Sequence, residues 1–334
     1  MIQPLIEVVK KEYAISNCTV IPYGPVWKIS FPQGLLMLKK MQCIPAKIDW
    51  LADVITRLNK AGFKGLSPLI LTKNKKPFIF FNNQLYIVTL WYQGKNPNFS
   101  GVSDLKKTAA TYGYLHQTSK LVIKKTTEPG DFFKEFQNKY QFLKSLTFNP
   151  SSGCKFNRID RTILKWGDYF LAQAEISLAG LRSLNISQWS KETFEKGFCH
   201  KDPAPRNIII QGSNWFLIDY ELSGIDFFID ELTTLIHRAM VVNHWELNVV
   251  QIITEAYQTH RKITGTETAL IPYLLCFPRQ FWRLCSQRYQ EQLKWKETHF
   301  QAKLWGLLNL ENERNNFLRK WFPDLEKPPF GGAV

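Results

Sequence analysis

Gly197-Phe198-Cys199-His200-Lys201-Asp202-Pro203-Ala204-Pro205-Arg206-Asn207-Ile208-Ile209-Ile210, followed by Phe216-Leu217-Ile218-Asp219-Tyr220-Glu221, decides how the rest of the chain reads. A polar loop feeds a short isoleucine-rich run, Gly212-Ser213-Asn214 turns, and a second apolar run ends on a carboxylate. Both runs have the length and β-branched content of buried strands, so the segment predicts a hairpin. That hairpin puts Asp202 and Asn207 at its entrance and Asp219 at its exit, on the same end. Two carboxylates and an amide converging there make a hard-cation site, because magnesium takes oxygen ligands and leaves room for phosphates.

The order His-x-Asp-x-x-x-x-Asn and then Asp is similar to the protein-kinase catalytic loop and its metal-binding aspartate. Phosphoryl transfer needs a carboxylate that orients the acceptor hydroxyl and receives its proton, and oxygen ligands that hold metal against the phosphates. On this resemblance Asp202 is the catalytic base, Asn207 and Asp219 bind the metal, and His200 shapes the loop as a structural residue. His-Lys-Asp-Pro-Ala-Pro-Arg-Asn more closely resembles the aminoglycoside phosphotransferase and choline kinase superfamily, which carries His-Gly-Asp-x-x-Pro-x-Asn. Pro205 falls on that proline, and Ile218-Asp219-Tyr220-Glu221 resembles the superfamily's Ile-Asp-Phe/Tyr-Glu/Asp. Arg206 stands where the family has glycine. The alternative is a surface loop with incidental carboxylates.

The chain has 334 residues, a length that suits two lobes. A hydrophobic content of 45% with 14% aromatics excludes a largely disordered chain. With 43 basic and 28 acidic residues the net charge is +15, which favours polyanions such as nucleotide phosphates, nucleic acid or an acidic partner. The six cysteines (18, 43, 154, 199, 276, 285) form no Cys-x-x-Cys and read as buried thiols. Residues 1–13 lack a signal-peptide core, and no apolar run reaches membrane-spanning length. These features predict a reducing cytoplasm, or a structure assembled there, with no membrane partner.

Residues 2–12 read as a short amphipathic helix, followed by strands at 19–21, 26–30 and 35–39. A lysine ending the third strand resembles the kinase lysine that pairs with the nucleotide's phosphates. This makes Lys39 the nucleotide-binding choice, with Lys40 the rival, since a one-residue slip of register changes faces. Ala46–Lys60 reads as a helix stopped at Gly62. In kinases this helix supplies a glutamate for the lysine, whereas here it offers only Asp49 and Asp53. Strands are predicted at Pro68–Thr72, Pro77–Phe81 and Leu85–Leu90. By the same resemblance Thr89-Leu90-Trp91-Tyr92 is the hinge whose backbone holds an adenine, with Leu90 and Trp91 the nucleotide-binding choices and interlobe packing the alternative for Trp91 and Tyr92.

The boundary is placed near residue 93, giving a nucleotide-binding lobe at 1–92 and a helical lobe at 93–334. The implied fold class is α+β: a two-lobed protein-kinase-like fold with a β-rich first lobe and a mainly helical second lobe. A helix begins at Asp104, with His116 a core histidine on its buried stripe. Further helices are expected at 131–146, at 159–184, from Asp226 through Met240, and at 246–261, 269–276, 279–295 and 303–321. Asn149–Gly153 reads as a loop, and Lys120–Lys125 as a solvated basic face. Asp230 resembles the kinase-fold aspartate that caps its helix and braces the catalytic loop, a structural role.

Phe277-Pro278-Arg279-Gln280-Phe281-Trp282-Arg283 with Tyr289, the loop Phe198-Cys199-His200, and Leu90-Trp91-Tyr92-Gln93-Gly94 resemble the spore-coat CotS-type branch of the superfamily. The resemblance implies ATP and magnesium as cofactors, a small-molecule hydroxyl as acceptor, and spore-coat proteins as further partners with the coat as a location. It also admits a weak or inactive coat-assembly protein on the same fold. The basic and aromatic residues of 279–321 could serve nucleic acid, but the aromatics recur at helical spacing, which favours core.

Overall fold

The computed structural model describes residues 3–123, 132–147, 157–184 and 195–329. The chain opens with α1 (Gln3–Tyr13), β1 (Thr19–Tyr23), β2 (Val26–Phe31), β3 (Gly34–Met41) and α2 (Pro45–Lys60). Next come β4 (Ile79–Phe81), β5 (Gln84–Leu90), α3 (Val102–Val122), α4 (Phe132–Thr147) and α5 (Arg158–Ser183). Four strands follow: β6 (Lys196–Cys199), β7 (Ile208–Gln211), β8 (Asn214–Leu217) and β9 (Gly224–Phe227). The remainder is helical, with α6 (Phe228–Val242), α7 (Leu247–Gln258), α8 (Gly265–Cys276), α9 (Arg279–Cys285), α10 (Glu297–Asn309) and α11 (Glu311–Leu318).

Two compact units result. The first comprises Met1–Thr126, Gly197–Ile225 and Ala256–Arg261. Its antiparallel sheet runs in the order β1-β2-β3-β5-β4. Leu5 and Val9 of α1 cover one face of it, packing with Ile29, Leu36, Leu38 and Val88. The β4–β5 turn uses Asn82 and Asn83 at φ 48° and 58°, the two positive dihedrals that a tight hairpin loop requires. Pro68–Thr72, expected as a strand, makes only the isolated bridge Leu69–Thr89, with Ile70 N donating to Val88 O at 2.8 Å. Pro68 brings no amide to a ladder, and Thr72 N turns back to Lys76 O at 2.8 Å, so pairing stops there.

The hairpin forms as its sequence predicts, in the register Ile208–Leu217 to Gln211–Asn214, and Gly212 supplies φ 62° at the turn. It is held from two sides. Leu217 N donates to Gly65 O at 2.7 Å, and Lys95 exchanges backbone bonds with Ile210 at 3.2 and 2.8 Å. The approach of the second segment is so close that a Cβ on Gly94 would collide with the Ile210 carbonyl oxygen. Residues read as a linker therefore meet the hairpin in one isolated antiparallel bridge, Lys95 to Ile210. The first unit continues past residue 92 through α3, whose Leu105, Ala109, Tyr112, Leu115 and His116 are buried. His116 is a core histidine, its Nδ1 2.7 Å from Tyr257 Oη.

The second unit comprises Thr127–Lys196, Asp226–Glu255 and Lys262–Val334. Asn157 and Asp160 form a capping box on α5, and Asp160 also accepts from Arg288 Nε and Tyr289 Oη, both at 2.8 Å. Because β9 runs to Phe227, α6 starts two residues later than expected, with Phe227 at the N-cap and no side-chain cap. Asp230, expected as the cap, sits inside the first turn and pairs with Arg279 at 2.5 Å.

Two long helices expected near the C-terminus are each interrupted. The 279–295 run is α-helical only to Cys285 and then takes a π turn over Ser286–Gln290. The 303–321 run belongs to α10 and α11, divided at Leu310, which turns Glu311 and Arg314 into the core.

Cys18, Cys43, Cys199, Cys276 and Cys285 are free thiols, the last three buried. Cys154, the loop Asn149–Gly153 and residues 124–125 of the basic face lie outside the described residues. No described helix is long and apolar enough to cross a membrane.

Candidate active site

The loop from β6 to β7 is built to hold two side chains still. Pro203 and Pro205 fix their own φ angles, and Pro205–Asn207 closes one 3-10 turn, with Asn207 N donating to Ala204 O at 2.9 Å. His200 is fully buried and its Nε2 donates to Ile218 O at 2.8 Å, tying the loop to the far end of β8. Ser223 Oγ donates to His200 O at 3.2 Å. Lys201 sits at φ 68° and Asp219 at φ 70°, left-handed conformations that side chains adopt at a cost of about 1 kcal/mol or more. Both strained positions flank the cluster of acids.

Asn207 is the joint of that cluster. Its backbone carbonyl accepts from Ile218 N at 2.9 Å, which brings it beside Asp219 across the mouth of the hairpin. Its Nδ2 donates to Asp202 Oδ2 at 2.8 Å and to Asp202 O at 3.1 Å. With the amide nitrogen committed, the amide oxygen is the atom left to face a ligand. Asp202 Oδ2 also accepts from Arg206 NH2 at 2.7 Å.

Lys39 supplies the cation. Its Nζ lies 2.5 Å from Asp219 Oδ1 and 3.1 Å from Glu221 Oε2. Lys40 is exposed, so the choice between the two lysines falls on Lys39 as the residue at the acids. The helix aspartates are not its partners: Asp53 pairs with Arg57 one turn on, at 2.7 Å. Glu221 takes that place from the segment after the hairpin. Its other oxygen accepts from Gln42 N at 2.9 Å, and its backbone carbonyl accepts from Lys47 Nζ at 2.6 Å. In the sequence Glu221 is only the last letter of Ile218-Asp219-Tyr220-Glu221, with no local pattern that marks it as a partner of Lys39. Between the two acids, Tyr220 is buried and donates to Ser67 O at 3.0 Å, and burial raises its hydroxyl pKa, keeping it a neutral donor.

At the expected hinge, Leu90 N donates to Ser67 Oγ at 3.3 Å and Trp91 N to Leu35 O at 3.0 Å. Those two amides are committed within the protein. Leu90 nevertheless exposes its side chain, and Trp91 meets Tyr23 edge-on at 5.1 Å with Lys28 over its ring at 5.4 Å. Tyr92 stacks flat on Phe216, centroids 3.8 Å apart, which joins the hinge to the hairpin. Lys39, Asp202, Asn207 and Asp219 are thus linked, Leu90 ends the strand paired with β3, and Trp91 follows it.

No family model matches the chain, and no curated protein matches it in sequence. Solved structures do. An aminoglycoside phosphotransferase from Alicyclobacillus acidocaldarius superposes with a TM-score of 0.78 over 95% of both chains, at 20% identity. The chain has the two-lobed protein-kinase-like fold, α+β. Spectinomycin phosphotransferase, solved with ADP and spectinomycin, matches at a TM-score of 0.64 and 14% identity, covering 92% of this chain and 93% of that one. Amicoumacin kinase, solved with AMP-PNP and Ca2+, matches at 0.63 and 15%, covering 95% and 93%. These likenesses concern the fold.

Proposed function

We propose that this protein is an ATP- and magnesium-dependent phosphotransferase that phosphorylates the hydroxyl of a small molecule. The observation that carries the reading is the orientation of Asn207. Its nitrogen is spent on Asp202, which leaves its amide oxygen for a ligand, and its backbone carbonyl accepts from Ile218 N, next in sequence to Asp219, a carboxylate whose side chain is 43% exposed. An amide oxygen and a carboxylate are the hard donors that magnesium takes when phosphates complete its shell, so the residues present fit that ion. Bound by Asn207 and Asp219, the metal would neutralise charge on the phosphates.

The chain's own residues do the rest. Asp202, fixed by Asn207, accepts the proton of the acceptor hydroxyl as the acceptor oxygen bonds to the γ-phosphorus. The bond from that phosphorus to the bridging oxygen breaks, and ADP leaves with its electron pair. Lys39 moves its charge from Asp219 to the nucleotide phosphates, and Leu90 and Trp91 flank the base. Catalysis on this reading is positioning and charge neutralisation, the pattern of phosphoryl transfer generally.

A thermal-shift titration with ATP and Mg2+ tests this. Saturation at a hundredfold over Kd stabilises by about 2.7 kcal/mol, and Asp219→Ala should abolish the shift. A wild-type melting curve indifferent to ATP and Mg2+, or an Asp219→Ala curve that responds as wild type does, defeats the reading.

A second reading, in which the fold serves assembly in a spore coat, follows from the resemblance to CotS-type proteins and carries the coat location with it. One observation favours it. The sheet edge β1 exposes Ile21 and Tyr23, and an open edge strand is a template for pairing with another chain. The readings are compatible, and Asp202→Ala separates them: a coat that still incorporates the variant needs the fold and not the chemistry.

A further inference from the structure

The loop places a guanidinium on the residue read as the base. Arg206 NH2 donates to Asp202 Oδ2 at 2.7 Å, across one turn of the loop; the Arg206 side chain is 68% exposed and that of Asp202 13%. The carboxylate is therefore reached from solvent past an arginine. Arg206 is held by backbone that cannot relax easily, since it follows Pro205 inside the 3-10 turn. Of the five donors of its fork one is used on Asp202, on a side chain that lies largely in solvent.

We propose that Arg206 selects the acceptor: an alcohol that carries a carboxylate or phosphate group near its reacting hydroxyl. The inference rests on the phosphotransferase reading and names its substrate class. Three considerations support it. A planar guanidinium binds carboxylate and phosphate with two parallel hydrogen bonds, a geometry that a neutral alcohol cannot use. Only the arginine end of the pair is in solvent, and from there the Arg206 guanidinium can turn from Asp202 to an arriving anion. A cationic acceptor finds the opposite: the Asp202 charge is already matched, and the guanidinium of Arg206 repels it. The anion on the fork and the hydroxyl on Asp202 would then be fixed at once, with the loop setting the spacing between them.

The test starts with AMP-PNP and Mg2+, whose stabilisation of the wild type is itself the check on the phosphotransferase reading. The loaded protein is then titrated in a melting assay with alcohols matched in skeleton. Neutral probes are glycerol and glucose, anionic ones glycerate, glucuronate and glucose 6-phosphate, and cationic ones ethanolamine and glucosamine. Anionic members should stabilise at concentrations at least about tenfold lower than their neutral counterparts, the effect of a charge-assisted pair. Arg206→Gln should erase that preference, and Arg206→Glu should transfer it to the cationic members. A nucleotide response with no anionic preference in the wild type overturns the proposal and leaves the phosphotransferase reading standing. An anionic preference that survives in Arg206→Gln overturns it as well, and absence of any nucleotide response removes both.

Discussion

Glu221 Oε2 stands 3.1 Å from Lys39 Nζ, although 182 positions of chain separate the two residues and the helix after β3 offers no glutamate. The acid that steadies the lysine comes from the segment beyond β8, where Gln42 N and Lys47 Nζ also fasten it. Losing the Glu221 side chain leaves Gln42 N without its acceptor and Lys39 with Asp219 alone. Glu221→Ala should cost about 1–2 kcal/mol in urea denaturation and weaken nucleotide-induced stabilisation. Asp53→Ala, on the helix, should stay within about 0.5 kcal/mol of wild type in the same assay.

Gly94 admits no side chain because its missing Cβ points at the Ile210 carbonyl oxygen. That oxygen accepts from Lys95 N, so it cannot turn aside without breaking the strand pairing. Gly94→Ala should therefore destabilise by about 2 kcal/mol or more, seen as a lower urea midpoint at unchanged slope. A variant as stable as wild type would mean that the segment and the hairpin are further apart.

Lys201 holds φ 68° with an exposed side chain directly before Asp202. Glycine would relieve the left-handed strain, so Lys201→Gly should stabilise the fold by up to about 1 kcal/mol. The same change frees the loop backbone in both folded and unfolded states. Chemical denaturation together with the ATP–Mg2+ thermal shift separates the gain in stability from any loss of order at Asp202.

His237 in the second unit is buried against Trp245, ring centroids 5.4 Å apart. Burial first, and then the charges of Arg314, Arg279 and Arg238, push its pKa well below 6.5. Above pH 6.5 the imidazole is neutral whether folded or unfolded, and it has no pH-linked effect. As pH falls below 6.5 the unfolded chain takes up the proton first, so stability drops until the folded pKa is reached. Denaturation midpoints measured from pH 7.5 to 5 should decline below 6.5, and His237→Gln should flatten the decline. A parallel decline in the variant would assign it to other groups.

What could be read directly were the features whose causes are local. The hairpin was legible because β-branched residues and a glycine turn mark it locally, and α2 because Ile48, Leu51, Ile55 and Leu58 recur at helical spacing. The strand expected at Pro68–Thr72 failed because a strand exists only where a neighbour completes its ladder. The break at Leu310 carries no glycine or proline. It is enforced by Glu311 and Arg314, which pair at 2.8 Å in the core and also engage Gln173 of α5.

Local chemistry in the sequence settled the residue types at the mouth of the hairpin: Asp202, Asn207 and Asp219 at spacings that a tight loop and two short strands bring to one end. Tertiary structure settled which partners meet them. Lys39 rather than its neighbour Lys40 reaches Asp219 because the β3–β5 register fixes its face, and Glu221 rather than a helix acid completes the pair because backbone contacts near Gln42 and Lys47 hold it there. Arg206 folding back onto Asp202 likewise depends on the 3-10 turn that the two prolines impose. Residue identity fixes what a group can do, and the three-dimensional path of the backbone fixes what it can reach.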